Sequence, residues 1–64
     1  MKLLELLVAC DNIKLSDKVA VYIPDKDPLL HNVDWWLAHS ESYNFSVNAF
    51  CLREDGLCLV SAEE

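Results

Sequence analysis

Two periodicities run along this chain. In residues 2–10, KLLELLVAC, Leu3, Leu6, Leu7 and Cys10 fall on one helical stripe, Leu4 and Val8 widen it, and Lys2 and Glu5 lie outside it. The spacing predicts an amphipathic helix over 2–11. Asp11-Asn12 is its expected stop, because Asn tolerates the left-handed conformation that ends helices. So short a helix is marginal alone and must form by packing on something. Residues 18–23, KVAVYI, are rich in β-branched and aromatic side chains, and Pro24 closes the run by withdrawing a backbone donor. A strand is predicted there, with Val19, Val21 and Ile23 facing one way and Ala20 and Tyr22 the other.

PDKDP, 24–28, is turn chemistry. A short helix is expected over 34–41, with Asp34 as its N-cap. From Tyr43 to Arg53 the large apolar residues alternate as Tyr43, Phe45 and Val47, then change phase to Phe50 and Leu52. Such a shift predicts a β-bulge near Asn48-Ala49, or a strand buried on both faces. Asp55-Gly56 between apolar runs marks a tight hairpin, with Gly56, the only glycine, supplying a positive φ. The return strand follows from Leu57 to Val60, and SAEE reads as a solvated tail.

The fold class these elements imply is α+β, one domain over 1–64: an N-terminal helix packed on a small antiparallel sheet that ends in a C-terminal β-hairpin at 44–61. Leu3, Leu6, Leu7, Val19, Val21, Phe45, Phe50 and Leu52 are the expected core. Composition adds a constraint. Hydrophobic residues make up 53% of the 64 residues, above the roughly 45–50% of an average chain. A domain this small has little interior in which to hide them. Self-association, as a homodimer or higher oligomer, is the expected remedy.

The formal charge is −6, from 11 acidic against 5 basic residues. That disfavours duplex nucleic acid and anionic membrane as partners, since neither attractive field exists. The acids form no regular row that would imitate DNA. Three cysteines, Cys10, Cys51 and Cys58, cannot all pair within one chain and have no secreted disulfide spacing. A reduced cytoplasmic setting is expected. LVAC, 7–10, matches a lipoprotein cleavage box locally, but Glu5 breaks the apolar region that a signal peptide needs. No run approaches the length of a membrane span.

Candidate chemistry is sparse. His31, His39, Cys51 and Cys58 are metal-ligand types, yet neither Cys-x₂₋₄-Cys nor His-x₃₋₅-His spacing occurs, and no metal or cofactor is expected. His39-Ser40-Glu41 holds triad residue types without triad geometry, the one glycine is committed to a turn, and no enzymatic activity is expected. Cys51 and Cys58 are expected as near neighbours across the hairpin, either as small hydrophobes, a regulatory disulfide or half of a metal site.

The adjacent tryptophans of HNVDWWLAHSE, 31–41, are the more informative feature. On a helix or a strand neighbouring side chains diverge, so one indole can enter the core while the other stays partly exposed. Trp is enriched in binding hot spots. Trp35, Trp36, Leu37, His39 and Leu30 are therefore the expected partner-binding residues, with Val33 and Leu29 thickening the patch. Trp36 is assigned to the interface and Trp35 to the core.

The plan of MKLLELL, a DKVAVYI strand, a polar insertion and a terminal hairpin resembles small accessory proteins of bacteriophages and mobile elements of Gram-positive bacteria. The resemblance covers the two ends and the overall layout, not 24–42. It implies a protein of the host cytoplasm that binds and blocks a host factor, including restriction and CRISPR effectors, or sequesters a signalling nucleotide. Two functions follow as expectations. One is a non-enzymatic inhibitor or adaptor docking a host macromolecule through the aromatic patch. The other is a homo-oligomer whose pocket holds a small signalling nucleotide, with Trp and Tyr on the base and His31, His39, Lys18 or Arg53 on phosphates. Few basic residues favour the first.

Overall fold

The computed structural model describes residues 1–10 and 12–64; Asp11, half of the expected helix stop, lies outside the described residues. The order is α1 (Leu3–Ala9), β1 (Lys18–Tyr22), β2 (Leu29–Asn32), α2 (Val33–Ala38), α3 (Ser40–Tyr43), β3 (Ser46–Leu52) and β4 (Leu57–Glu63). The strands form one sheet in the order β2-β1-β4-β3. β1 pairs antiparallel with β2, and β3 with β4, while β1 and β4 run parallel down the middle. The expected α+β plan is present, and the central parallel pair makes the sheet mixed. The segment through α2 and α3 carries the chain from one sheet edge to the other.

One face of the sheet carries the core. Val19 and Val21 of β1 lie beside Cys58 and Val60 of β4, with Ala62 further along, and all are buried. Leu3, Leu6 and Leu7 of α1 and Val33 and Trp36 of α2 close over them. Each helix is too short to hold itself, and each is tied to other elements. Glu5 Oε1 accepts from the Lys2 amide at 3.0 Å, and Asn44 Oδ1 accepts from the Leu4 amide at 2.9 Å, so first-turn donors of α1 are satisfied. The first amides of α2 donate to the loop before β1, Val33 N–H to the Asp17 carbonyl at 2.9 Å and Asp34 N–H to that of Leu15 at 3.2 Å.

Several expectations change. The helix expected over 34–41 is two pieces broken at His39, and the first begins at Val33 with Asn32 as N-cap, so Asp34 sits in the first turn. β2, made of Leu29–Asn32, had no predicted counterpart. SAEE is not a solvated tail, because β4 continues to Glu63 with Ala62 buried. The bulge is where the phase change put it, between Val47 and Ala49. Gly56 has φ +86°, as its turn requires. Of the expected core, Phe45 is only partly buried, and Phe50 and Leu52 are 52% and 38% exposed. Phe50 and Leu52 lie on β3, a sheet edge, and so have a neighbouring strand on one side only.

Candidate functional site: the open face of the sheet

The tryptophan pair resolves by helical phase. Val33 and Trp36, three apart, share the inward side of α2, and Trp36 is 1% exposed. Its indole N–H donates to the Val19 carbonyl at 3.1 Å, which ties α2 to the central strand. The expected assignment is thus reversed: Trp36 is core and Trp35 is the half-buried indole. One residue of helix start decides it, since each step turns the side chain by about 100°.

Trp35 is enclosed by imidazoles. His31, at the end of β2, stacks on one side with centroids 3.5 Å apart and planes at 10°. His39 stacks at 4.1 Å and 17°. His39 Nδ1 lies 2.9 Å from the Trp35 carbonyl, and because a carbonyl only accepts, Nδ1 carries the proton in that bond. Trp36 meets Trp35 edge-on at 5.1 Å, and Tyr43 and Phe45 extend the aromatic cluster. These contacts leave neither flat side of Trp35 open to a stacking ligand.

The expected partner-binding residues do not make one surface. Trp36 is in the core, Leu37 is partly buried against it, and Trp35 and His39 are stacked on the helical side. Leu30 points from the opposite face of the sheet, 53% exposed.

That opposite face is the one the helices leave uncovered, and it carries the exposed Tyr22 and Leu30. Side chains alternate along a strand, so residues between the buried positions project away from the helices. On β1 these are Tyr22 and Ala20, the latter itself buried between its strand neighbours, on β4 Leu57, Leu59 and Ser61, on β2 Leu30, and on β3 Ala49 and Cys51. The register places Ala20 between Leu30 and Leu59, Tyr22 beside Ser61, and Cys51 beside Leu59. Tyr22 is 48% exposed. A shallow groove of about 330 Å³ runs between Tyr22, Leu59, Ser61, Ala49 and Cys51. A second, of about 410 Å³, opens at the other end between Lys18, Leu30 and Leu57, with Asp17 and Asp55 on its rim. The alternation in KVAVYI was the sequence signal for this face, since it already set Ala20 and Tyr22 apart from the valines.

The polar groups in the first groove are the hydroxyls of Tyr22 and Ser61 and the Cys51 thiol. All three cysteines are free. Cys51 and Cys58 sit on opposite faces, each paired with a leucine across the hairpin, so the expected neighbouring thiols do not meet. Burial pushes the Cys58 thiol above its ordinary range, and nearby Cys10 and Cys51 add to the shift. Among the described residues no group of three or more His, Cys, Asp or Glu is placed to hold a metal ion. No helix of the described residues is long and apolar enough to cross a membrane. Comparison with protein-family models, with curated proteins and with solved structures finds no match.

Proposed function

We propose that this chain is a non-enzymatic interaction protein that docks a host protein through the open face of its sheet. The carrying observation is the apolar strip of Tyr22, Leu30, Leu57 and Leu59, which no helix of the described residues covers while all three helices lie on the other side. Exposed apolar patches of this kind, rimmed by charge, mark protein contacts more than they mark solvent surface. With a net charge of −6 and Asp17 and Asp55 beside the strip, the matching partner surface is apolar at its centre and basic at its rim. The resemblance to phage and mobile-element accessory proteins supports a role in inhibiting or modulating that partner.

The nucleotide-sequestering alternative draws less support. It needs an indole open to a base, and Trp35 is already stacked on both sides while Trp36 is internal.

The test is a Tyr22→Ser, Leu30→Ser double variant. Both side chains are about half exposed, so folding should change by no more than about 1 kcal/mol, while hot-spot contacts lose about 2 kcal/mol or more of binding. Proteins retained from host cells by immobilised wild type are quantified against those retained by the variant. A protein held by the first and lost by the second is expected. Identical retention by both, or none by wild type, refutes the assignment.

A further inference from the structure

β3 is an edge strand whose open side is only half occupied. Arg53 N–H donates to the Leu57 carbonyl at 2.9 Å, so Arg53 bonds toward β4. In antiparallel pairing a residue's N–H and C=O point the same way and successive residues alternate. Cys51 and Ala49 therefore also bond toward β4, and Phe50 and Leu52 direct their backbone groups outward. Beyond the bulge the phase changes: Val47 N–H donates outward to the Met1 carbonyl at 2.7 Å, and the Phe45 carbonyl accepts from Leu3 N–H at 2.9 Å. The chain's own first residues thus seal 45–47 and leave 50 and 52 with no strand partner on that side among the described residues. The side chains of these same two residues are the exposed apolar ones. From Ala49 to Leu52 the edge has no proline, lysine or carboxylate, the usual devices that discourage strand addition.

We propose that two copies of this chain pair through β3, antiparallel about a two-fold axis, with Phe50 of each opposite Leu52 of the other and Cys51 opposite its own counterpart. Self-pairing is favoured because the free groups are complementary to themselves in this one register. Setting Phe50 opposite Phe50 drives the second copy's 53–56 turn into Met1–Leu3. Setting Leu52 opposite Leu52 puts Phe50 against Glu54, a carboxylate already in the turn. The intermediate register uses both free residues of each copy, and each Phe50–Leu52 pair exchanges both of its N–H···O bonds. It also buries each exposed phenylalanine against a leucine, directly across the strands. The contact is isologous and closes as a dimer. Its two-fold stands perpendicular to an eight-stranded sheet, so the open faces of both copies lie on the same side and join. The pairing is independent of what docks on that face.

Cys51 gives the register a direct readout. Opposed residues between hydrogen-bonded pairs have Cα atoms about 4.5 Å apart, within the span a disulfide accepts. Diamide joins two such thiols, taking up their two electrons and two protons as it is reduced to the hydrazide. Sedimentation equilibrium of wild type at micromolar concentration should give twice the 7.3 kDa chain mass. Phe50→Lys should weaken dimerisation by about 30-fold or more, the size of a hot-spot loss. The Tyr22→Ser, Leu30→Ser variant should remain dimeric. Diamide should give a covalent dimer that Cys51→Ser abolishes and Cys10→Ser does not. A 7.3 kDa monomer at every soluble concentration overturns the proposal. So does a dimer indifferent to Phe50→Lys, one lost only in the Tyr22, Leu30 variant, or a diamide product that survives Cys51→Ser.

Discussion

Truncating Trp36 should come close to unfolding the protein, whereas truncating Trp35 should not. The Trp36 indole is 1% exposed, packs among α1, α2 and the central strands, and makes a 3.1 Å bond to the Val19 carbonyl. Trp36→Ala should cost about 3–5 kcal/mol, the range for removing a large buried aromatic. A chain of 64 residues has a total stability of about 3–10 kcal/mol, so the loss is a large share of the whole. Trp36→Phe keeps most of the ring and loses the indole N–H, at about 1–2 kcal/mol, and gives a measurable transition if the alanine variant does not fold. Trp35→Ala removes a half-buried ring and two imidazole stacks, and should cost about 1–2 kcal/mol. For a domain this small each kcal/mol moves the melting midpoint by about 4–8 °C. Urea and thermal unfolding followed by far-ultraviolet circular dichroism separate the two cases. If Trp36→Ala costs no more than Trp35→Ala, the placement of α2 on the core is wrong.

Two further outcomes follow from single positions. Gly56→Ala should destabilise by about 1–2 kcal/mol, because φ is +86° there and an added Cβ would stand 3.1 Å from Asp17 Oδ1, a carboxylate held by the Lys14 amide; an unchanged urea midpoint would contradict it. Stability should also fall as pH rises through the ordinary thiol range. Cys58 keeps its proton in the folded state after the unfolded chain has lost it, so unfolding releases a proton in that window, with a slope of at most about 1.4 kcal/mol per pH unit. Cys58→Ala should remove that component when alkaline urea midpoints are compared with wild type, and an identical alkaline slope in the variant would contradict the assignment.

What the sequence carried well were features set by neighbours along the chain. The Leu3, Leu6, Leu7 stripe, the KVAVYI strand, the phase change at Asn48 and the Asp55-Gly56 turn each depend on a few adjacent residues, and each took its expected form. The misses depend on distant ones. LLHN has no period of its own and becomes β2 by pairing with β1, so propensity could not announce it. Helix α2 starts at Val33 because the carbonyls of Asp17 and Leu15 receive its first amides. That long-range detail rotates the tryptophans relative to a helix capped at Asp34 and exchanges their roles. Phe50 and Leu52 have the hydrophobicity of core residues, and only the strand order, which puts β3 at an edge, leaves them exposed.

The open face and the open edge both go with the shortness of the helices. The helices have seven, six and four residues, enough to cover one face of a four-stranded sheet and no more. No helix of the described residues covers the far face, and exposed apolar side chains lie there, at Tyr22 and Leu30, and along the rim, at Phe50 and Leu52. The N-terminal segment illustrates how far each residue is stretched. Met1–Leu3 caps the β3 edge at 45–47, and from Leu3 onward the same segment turns into the helix that roofs the core. Asn44 fastens that turn by bonding the Leu4 amide. Sealing the rest of the edge would require the chain to continue as a strand past the point where it must become a helix. The bulge between Val47 and Ala49 marks that limit: before it the outward backbone groups meet Met1 and Leu3, and after it they meet no strand of the described residues, which leaves them open to the pairing proposed above.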